Sequence, residues 1–342
     1  MARTIPIIRA AALFPMFRWM EAHGHSAPEW LAQVGLDPLI EKSPERPVPL
    51  PIAFQLFRLL ATIEGPGASS RIVTPHSLDD LGIFGKLILT GQTPREALMR
   101  AVRFLPCYST HELLVLRSIP GGLRVQAGWS LVLDDEMMHL SQQFTAALVV
   151  GLCLATNHAS AAPKVIRIRP HPQAGVAHLR PLFGDALTAS DQAVLSIDLN
   201  DTILDAPLHL DASSRLDVPP KNWTLPHKEA SFSHSVSLTL SALNAEVPIR
   251  VEQVAGVAGM SVRSFQRMLA MDGSSFRLLA DEIRRARTIE TLMDDRRSGR
   301  LVAEDLGFSG QSALSRAVRR WTGLSPKHLR DGASSSNTLP SA

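Results

Sequence analysis

Residues 254–269 have the sequence VAGVAGMSVRSFQRML, which has the order of a short helix, a tight turn and a second helix. Gly259 supplies a turn position at which a left-handed backbone costs little. Ser261 can cap the second helix by accepting a hydrogen bond from one of its free N–H groups. In that helix Phe265 and Leu269 are four residues apart and share one face. The stretch therefore predicts a compact helix pair with a buried and an exposed side.

The exposed side of the second helix carries Arg263, Gln266 and Arg267. These side chains suit the major groove of DNA. An arginine can donate two hydrogen bonds to guanine, and a glutamine can make two hydrogen bonds to adenine. The pattern on its own also fits an ordinary solvated helical hairpin, so a second copy decides between the two interpretations.

That second copy lies in residues 301–322. LVAEDLGFS (301–309) predicts a scaffold helix and turn, and a helix over 311–322 follows with Leu314 and Val318 facing inward. Between the pairs, apolar residues at spacings of three and four predict one amphipathic helix of about 18–20 residues, roughly 28 Å long. Its predicted inner face consists of Phe276, Leu279, Ile283, Ala286, Ile289 and Met293. Such a helix could hold two recognition helices near the ~34 Å separation of successive major-groove turns.

Residues 247–330 resemble the DNA-binding domain of the AraC/XylS family of bacterial transcription regulators. The resemblance is carried by VA (254–255), GMSVR (259–263), QRML (266–269), Gly273, LGFS (306–309), SRA (315–317) and WTGLSP (321–326). It implies two tandem helix-turn-helix motifs joined by a long helix, binding to double-stranded promoter DNA, RNA polymerase as a partner, and activation as the common mode. The chain departs from the family pattern at Thr288, Leu314 and Val318, which changes core packing rather than groove chemistry.

The resemblance carries DNA contacts onto individual side chains. Base contacts fall on Arg263, Gln266, Arg267, Gln311, Ser312 and Arg316. Phosphate contacts, which position a protein without reading sequence, are expected of Ser261, Ser264, Ser309, Ser315, Arg319, Arg320 and Lys327. The charge distribution agrees, because residues 247–330 hold 15 Lys and Arg against 9 Asp and Glu, whereas residues 1–246 hold 20 against 22. The positive potential is thus concentrated where phosphates must bind.

A chain of 342 residues has room for a second domain. Thr93 and Pro94 predict the start of a helix that runs to about Leu105. Gly121-Gly122 separates two alternating runs and predicts a hairpin, and residues 136–157 predict a long apolar helix. We expect an α+β fold for this N-terminal part.

The order of these elements resembles the arabinose-binding-type N-terminal domain found in one branch of the same family. The matching pieces are GLD (35–37), TPREAL (93–98) and LFG (182–184). This looser resemblance implies a domain that senses a small-molecule effector, and it leaves open whether the domain forms a homodimer.

The expected domain boundaries follow from composition. A Pro-, Ser- and charge-rich stretch predicts an interdomain linker, and a Ser-rich end predicts a disordered tail. We expect a sensory domain over 1–210, a linker over 211–234, a DNA-binding domain over 235–331 and a tail over 332–342. Within the DNA-binding domain, the two motifs are expected at about 251–271 and 299–322, and the connecting helix at about 275–294.

Other kinds of site have little support in the sequence. Cys107 and Cys153 form no disulfide framework or metal-spaced cluster, and we expect no metal, no cofactor and no catalytic site. The longest apolar run, 144–155, is too short to span a bilayer, so we expect no membrane contact and a cytoplasmic protein. Tyr108 and Trp129 are candidates for an effector pocket, although core packing is the commoner role for such residues.

Two other functions stay open at this point. An enzymatic N-terminal domain could be fused to the DNA-binding module, which would require turnover of a metabolite. Alternatively, the chain could be an architectural DNA-binding protein without an effector, which would discriminate little between promoter and random DNA.

Overall fold

The computed structural model of the protein describes residues 4–156, 158, 161–209, 216–225, 231–244, 249–294 and 299–329. The chain forms two compact units, which we call the N-terminal domain (residues 6–230) and the C-terminal domain (residues 1–5 with 231–342). The predicted tail at 332–342 and the linker residues 211–215 and 226–230 lie outside the described residues.

The N-terminal domain combines helices with a five-stranded sheet of order β3-β4-β7-β5-β6. Neighbouring strands are antiparallel except for the parallel pair β5–β6. Separately, β1 and β2 pair as a small antiparallel sheet. The strands are β1 (Ile7–Arg9), β2 (Pro47–Pro49), β3 (Glu112–Ile119), β4 (Gly122–Trp129), β5 (Val165–Ile168), β6 (Leu187–Ala189) and β7 (Leu195–Asn200).

Two long helices, α7 (Pro94–Tyr108) and α8 (Asp135–Leu154), pack against this sheet, and their starts follow the capping signals in the sequence. Thr93 caps α7 by accepting a hydrogen bond from the N–H of Glu96 at 3.3 Å, as predicted. Asp134 caps α8 in the same way through the N–H of Met137 at 2.9 Å. The helices are α1 (Phe14–Ala22), α2 (Ala27–Gln33), α3 (Leu50–Glu64), α4 (Ala68–Arg71), α5 (Ser77–Asp80), α6 (Gly82–Ile88), α7 (Pro94–Tyr108), α8 (Asp135–Leu154), α9 (Arg180–Phe183) and α10 (Asp201–Leu204).

The predicted hairpin is confirmed as β3–β4, and its two glycines have different roles. Gly121 has a φ of +72°, in the left-handed region that the turn requires. Gly122 lies against β7, where a Cβ atom would be 1.9 Å from the carbonyl oxygen of Leu199. The second glycine is therefore needed for sheet pairing rather than for the turn.

Helix α8 has the length and apolar character of a membrane-crossing segment. Most of it is buried: 72% of its most apolar window lies inside the domain. The apolar run at 144–155 therefore belongs to a core helix that packs against the sheet and α4.

Part of the predicted linker packs on the N-terminal domain. The indole N–H of Trp223 donates to the Glu45 carboxylate, and the Arg9 guanidinium lies 4.8 Å from the centre of the Trp223 ring. Arg100 donates to the backbone carbonyl of Asp217 at 3.0 Å. Residues 216–225 therefore extend the N-terminal domain beyond the expected end at 210. Composition could not show this, because the segment is rich in proline and polar residues and is anchored by two buried side chains, Trp223 and Leu225.

The C-terminal domain is helical in the part that the structure describes. Its helices are α11 (Phe232–Ala242), α12 (Val251–Val257), α13 (Val262–Met271), α14 (Phe276–Asp294), α15 (Gly299–Asp305) and α16 (Gln311–Thr322). Phe232 and Phe265 meet edge to face in the first half of the core, with ring centres 5.3 Å apart. A second cluster contains Leu292, Val302, Ala303, Leu314 and Val318, all fully buried.

The inner face predicted for α14 is wrong in part. Ala286 is exposed and Met293 is 53% exposed, whereas Leu279, Thr288 and Leu292 are buried. The spacing rule placed Ala286 and Met293 inside and left out Leu292, because spacing alone does not show which side of α14 the other helices cover. Thr288 satisfies its hydroxyl by donating to the carbonyl of Arg284 at 2.7 Å and can therefore be buried.

Candidate nucleic-acid interface

The first helix pair of the C-terminal domain consists of α12 and α13. Gly259 has a φ of +64° in the turn between them. Ser261 caps α13 by accepting a hydrogen bond from the N–H of Ser264 at 3.3 Å. Phe265 and Leu269 are fully buried. The cap and the two buried side chains fix which face of α13 is turned outward.

That outward face carries Arg263, Gln266 and Arg267, all of them exposed. None of the three side chains makes a hydrogen bond or ion pair with a residue that the structure describes. Beside them, the Ser261 hydroxyl donates to the Ser264 hydroxyl at 3.1 Å. The structure thus brings together the three predicted base-contacting residues and the two serines. The N–H groups of the arginine and glutamine side chains are free to donate hydrogen bonds to a ligand.

In the second helix pair, α15 and α16, the second helix begins differently from α13. Gly310, with a φ of +146°, occupies the N-cap position of α16, and no side chain caps the helix. Ser309 is exposed one position earlier. The amide of Gln311 lies over Gly299, where a Cβ atom would be 3.2 Å from its Nε2. Glycine at 299 therefore leaves room for the Gln311 side chain.

The body of α16 is amphipathic, as predicted. Leu314 and Val318 are fully buried, so both of these departures from the family pattern lie in the core. Ser312, Arg316 and Arg319 are exposed, and Ser315 is half-buried. Neither Arg316 nor Arg319 has a side-chain partner in the described part of the chain.

The WTGLSP segment forms the end of α16. Gly323 has a φ of +74°, and its N–H donates to the carbonyl of Arg319 at 2.9 Å. The Thr322 hydroxyl donates to the carbonyl of Val318 at 2.8 Å. Ser325 then accepts a hydrogen bond from the N–H of His328 at 3.3 Å and starts a further helical turn, which exposes Lys327. The motif is therefore a helix stop followed by a new helix start.

Arg320 differs from the other predicted phosphate contacts because it has a protein partner. Its guanidinium lies 3.3 Å from Oδ1 of Asp281 on α14. It also lies 5.5 Å from the centre of the neighbouring Trp321 ring. The sequence could not show this pair, since the two residues are far apart along the chain and the pairing depends on how α14 and α16 pack.

The weaker candidates Tyr108 and Trp129 lie in one place, a cavity of about 120 Å³ inside the N-terminal domain. Tyr108 is 4% exposed and stacks on Phe84 with ring centres 4.3 Å apart. The indole N–H of Trp129 donates to Ser141 at 3.2 Å. Glu112 also lines this cavity, and sequence reasoning missed it. Its position opposite Trp129 across the hairpin is a signal that could have identified it.

Three histidines of the N-terminal domain also meet. Nε2 of His139 lies 3.0 Å from Nε2 of His178, and Nδ1 of His139 bonds to the carbonyl of Arg169. His171 packs against both rings. Burial lowers the pKa of His139 to about 4, so its ring is neutral near pH 7. Among the described residues, no group of three or more His, Cys, Asp or Glu side chains is placed to hold a metal ion.

Comparison with protein families matches both parts of the chain. A helix-turn-helix domain model matches residues 254–332. The model for the arabinose-binding N-terminal domain of AraC transcription regulators matches residues 24–208, more than half of the chain. The chain belongs to the AraC family of transcription regulators. The family membership that the sequence motifs predicted is thus confirmed, and this AraC-family regulator is a DNA-binding protein with an arabinose-binding-type N-terminal domain.

Relatives of this AraC-family regulator match it over a short segment. The regulator VirS of Mycobacterium tuberculosis is 37% identical over 79 residues, which are 23% of each chain. The regulator VqsM of Pseudomonas aeruginosa is 32% identical over 72 residues, 21% of this chain and 22% of the relative. These matches span less than a quarter of each relative. The crystal structure of CdpR from Pseudomonas aeruginosa aligns with 93% of this chain and 96% of its own, with 15% identity and a TM-score of 0.38.

Proposed function

We propose that this AraC-family regulator binds promoter DNA through two tandem helix-turn-helix motifs, with α13 and α16 as recognition helices. The observation that carries the proposal is the pair of exposed, unpartnered polar faces on these two helices. Arg263 and Arg267 on α13, and Arg316 on α16, have exposed guanidinium groups without a partner in the described chain. Unpaired arginine donors on a helix face are suited to guanine edges in the major groove.

The proposed contacts divide by position on each helix. The base-contacting set is Arg263, Gln266, Arg267, Gln311, Ser312 and Arg316. The phosphate-contacting set is Ser261, Ser264, Ser309, Ser315, Arg319 and Lys327. Arg320 was predicted for the second set, but its ion pair with Asp281 favours a role in holding α16 against α14.

The long helix α14 supports the use of both motifs on one face of DNA. It has 19 residues, which corresponds to roughly 28 Å at the α-helical rise of 1.5 Å per residue. Successive major-groove segments on one side of DNA are ~34 Å apart. A rigid connector of this length suits two recognition helices that enter adjacent segments.

The N-terminal domain has the proposed role of sensing a small-molecule effector. Its support is a mostly apolar internal cavity that also contains a few polar groups, which is the usual character of a ligand site. Within the proposal, ligand binding changes the affinity for promoter DNA or the contact with RNA polymerase. The regulator is an activator that can act as a homodimer. It works in the cytoplasm and does not catalyse a reaction.

Selection from a pool of random duplexes tests the proposed DNA recognition. The full chain should enrich a defined sequence and bind it about 10³-fold or more tightly than random DNA at physiological salt. Arg285→Ala is a matched control, because Arg285 is exposed on α14 and has no partner in the described chain. It should lower affinity slightly and leave the enriched sequence unchanged. Tight binding without an enriched sequence would favour an architectural DNA-binding protein and contradict the proposal.

A further inference from the structure

The cavity in the N-terminal domain is almost entirely apolar. Aromatic and aliphatic side chains from α3, α6, α7, α8 and β3–β4 line it, including Phe54, Phe84 and Trp129. An apolar cavity of about 150 Å³ can hold a benzene molecule. At about 120 Å³, this cavity has room for an apolar group of roughly five to six non-hydrogen atoms, close to the size of one aromatic ring.

Glu112 is the acidic residue that lines this cavity. It is the first residue of β3 and lies opposite Trp129 in the β3–β4 ladder. Its carboxyl group makes no hydrogen bond or ion pair with any residue in the described ranges. Burial raises the pKa of Glu112 to about 7. By contrast, Asp198 of the same domain is paired with Arg124 and Arg167.

Tyr108 brings a second unsatisfied polar group to the same cavity. Its side chain is 4% exposed, and its hydroxyl has no hydrogen-bond partner among the described residues. Burial and the nearby Glu112 carboxylate both raise the pKa of Tyr108, so the hydroxyl keeps its proton. Buried polar groups normally have partners. The buried Tyr108 hydroxyl and the half-buried Glu112 carboxyl line the same apolar cavity without a partner among the described residues, which indicates that a partner is missing.

The charges around the cavity decide what that partner is. A carboxylate accepts hydrogen bonds and attracts cations, and it repels an acid. Arg9, whose charge acts on Tyr108, is not a lining residue. Its guanidinium donates to the backbone carbonyls of Cys107 and Glu45 and lies 3.6 Å from the Glu45 carboxylate. The acid in the cavity is thus left without a positive charge of its own.

We propose that this cavity binds a small protonated amine with a compact apolar body. Its ammonium group pairs with the Glu112 carboxylate and donates a hydrogen bond to the Tyr108 hydroxyl, while the apolar body fills the space between Phe54, Phe84 and Trp129. The proposal rests on the effector-sensing role proposed for this domain and names the chemical class of the effector.

Titration calorimetry on the full chain at pH 8 tests this with three probes of similar shape: benzylamine, benzyl alcohol and benzoate. Benzylamine should bind about tenfold or more tightly than benzyl alcohol, because a charge-assisted hydrogen bond is stronger than a neutral one. Benzoate should not bind. Glu112→Gln should remove the advantage of the amine and change the affinity for benzyl alcohol less than twofold. Glu112→Asp, which keeps the charge, should retain part of the advantage.

Two control variants distinguish pairing of the ammonium group with Glu112 from a general effect of charge or of mutation. Glu21→Gln alters an exposed carboxylate outside the cavity and should leave all three affinities unchanged. Tyr108→Phe should weaken benzylamine severalfold and affect benzyl alcohol less. Melting curves of each variant show that it is folded. Equal binding of benzylamine and benzyl alcohol to the wild type would overturn the proposal, and so would the absence of any binding.

A parallel measurement separates this inference from the proposed function. Affinity for the enriched duplex is measured with and without benzylamine. Amine binding that depends on Glu112 but leaves DNA affinity and transcription unchanged would contradict the sensing role and still establish the amine site. A change in DNA affinity that Glu112→Gln does not abolish would contradict the amine site and leave the sensing role in place.

Discussion

The indole N–H of Trp321 donates a hydrogen bond to Oδ2 of Asp281 at 3.3 Å. Arg320 donates to Oδ1 of the same carboxylate, also at 3.3 Å. One acid on α14 thus engages two adjacent residues near the end of α16. The carboxylate thus pairs with the Arg320 guanidinium, whereas Arg316 and Arg319 on the same helix have no side-chain partner among the described residues.

Replacing Asp281 should therefore change DNA binding through Arg320. Asp281→Asn keeps an acceptor for Trp321 but removes the charge that holds Arg320. The released guanidinium becomes available to phosphate, so the slope of log affinity against log salt should steepen by about 1. Binding to the enriched duplex over a range of salt concentrations measures this slope. Glu282→Gln, an exposed neighbour on α14, should change it less, and equal slopes for both variants would show that Arg320 does not reach DNA.

Replacing Arg267 and replacing Arg319 should affect the sequence specificity of DNA binding differently. Arg267→Ala is expected to weaken binding to the enriched duplex by roughly 1–3 kcal/mol and to relax specificity at one base pair. Arg319→Ala should weaken binding about equally on all sequences, because phosphate contacts carry no sequence information. Affinities for a set of single-base-pair variants of the duplex distinguish the two. A uniform loss with Arg267→Ala would remove that residue from the base-contacting set.

The cap of the first recognition helix should matter for stability. Ser261→Ala removes the acceptor for the N–H of Ser264 and should destabilise the C-terminal domain by about 1 kcal/mol. Ser261→Asp restores an acceptor, and its negative charge suits a helix N-terminus. It should therefore recover most of the stability while weakening DNA binding. Urea denaturation monitored by circular dichroism measures both, and equal stability of all three proteins would argue against the cap.

Because of Glu112, the N-terminal domain should be less stable above neutral pH than at pH 5. Its folded-state pKa of about 7 lies above the ordinary value of 4.5, so the folded state holds the proton more tightly than the unfolded state. Stability is therefore lost as pH rises through the window between these values. Glu112→Gln should raise Tm at pH 8, by about 2–4 °C for each kcal/mol recovered, and change it little at pH 5. Thermal melting at both values checks this, with Glu21→Gln as a control that should show no such difference.

The sequence predicted the elements that depend on local chemistry. The caps at Thr93 and Ser261 and the turn at Gly121 were accessible because neighbouring residues determine them. The pairing of Arg320 with Asp281 was not, since it depends on how two helices pack. Burial of Leu292 was missed because spacing along α14 does not show which of its sides the other helices cover. Glu112 lies opposite Trp129 in the predicted hairpin, so the sequence held a signal for it, but the helices that complete its surroundings could not be placed from the sequence.

Hydroxyl-radical footprinting of the full chain on the enriched duplex tests the central claim most directly. The wild type should protect two segments whose centres are about 10–10.5 base pairs apart, one for each recognition helix. Arg267→Ala should lose protection in one segment and Arg316→Ala in the other. A single protected segment, or the loss of the same segment in both variants, would contradict the use of two tandem motifs on adjacent turns of DNA.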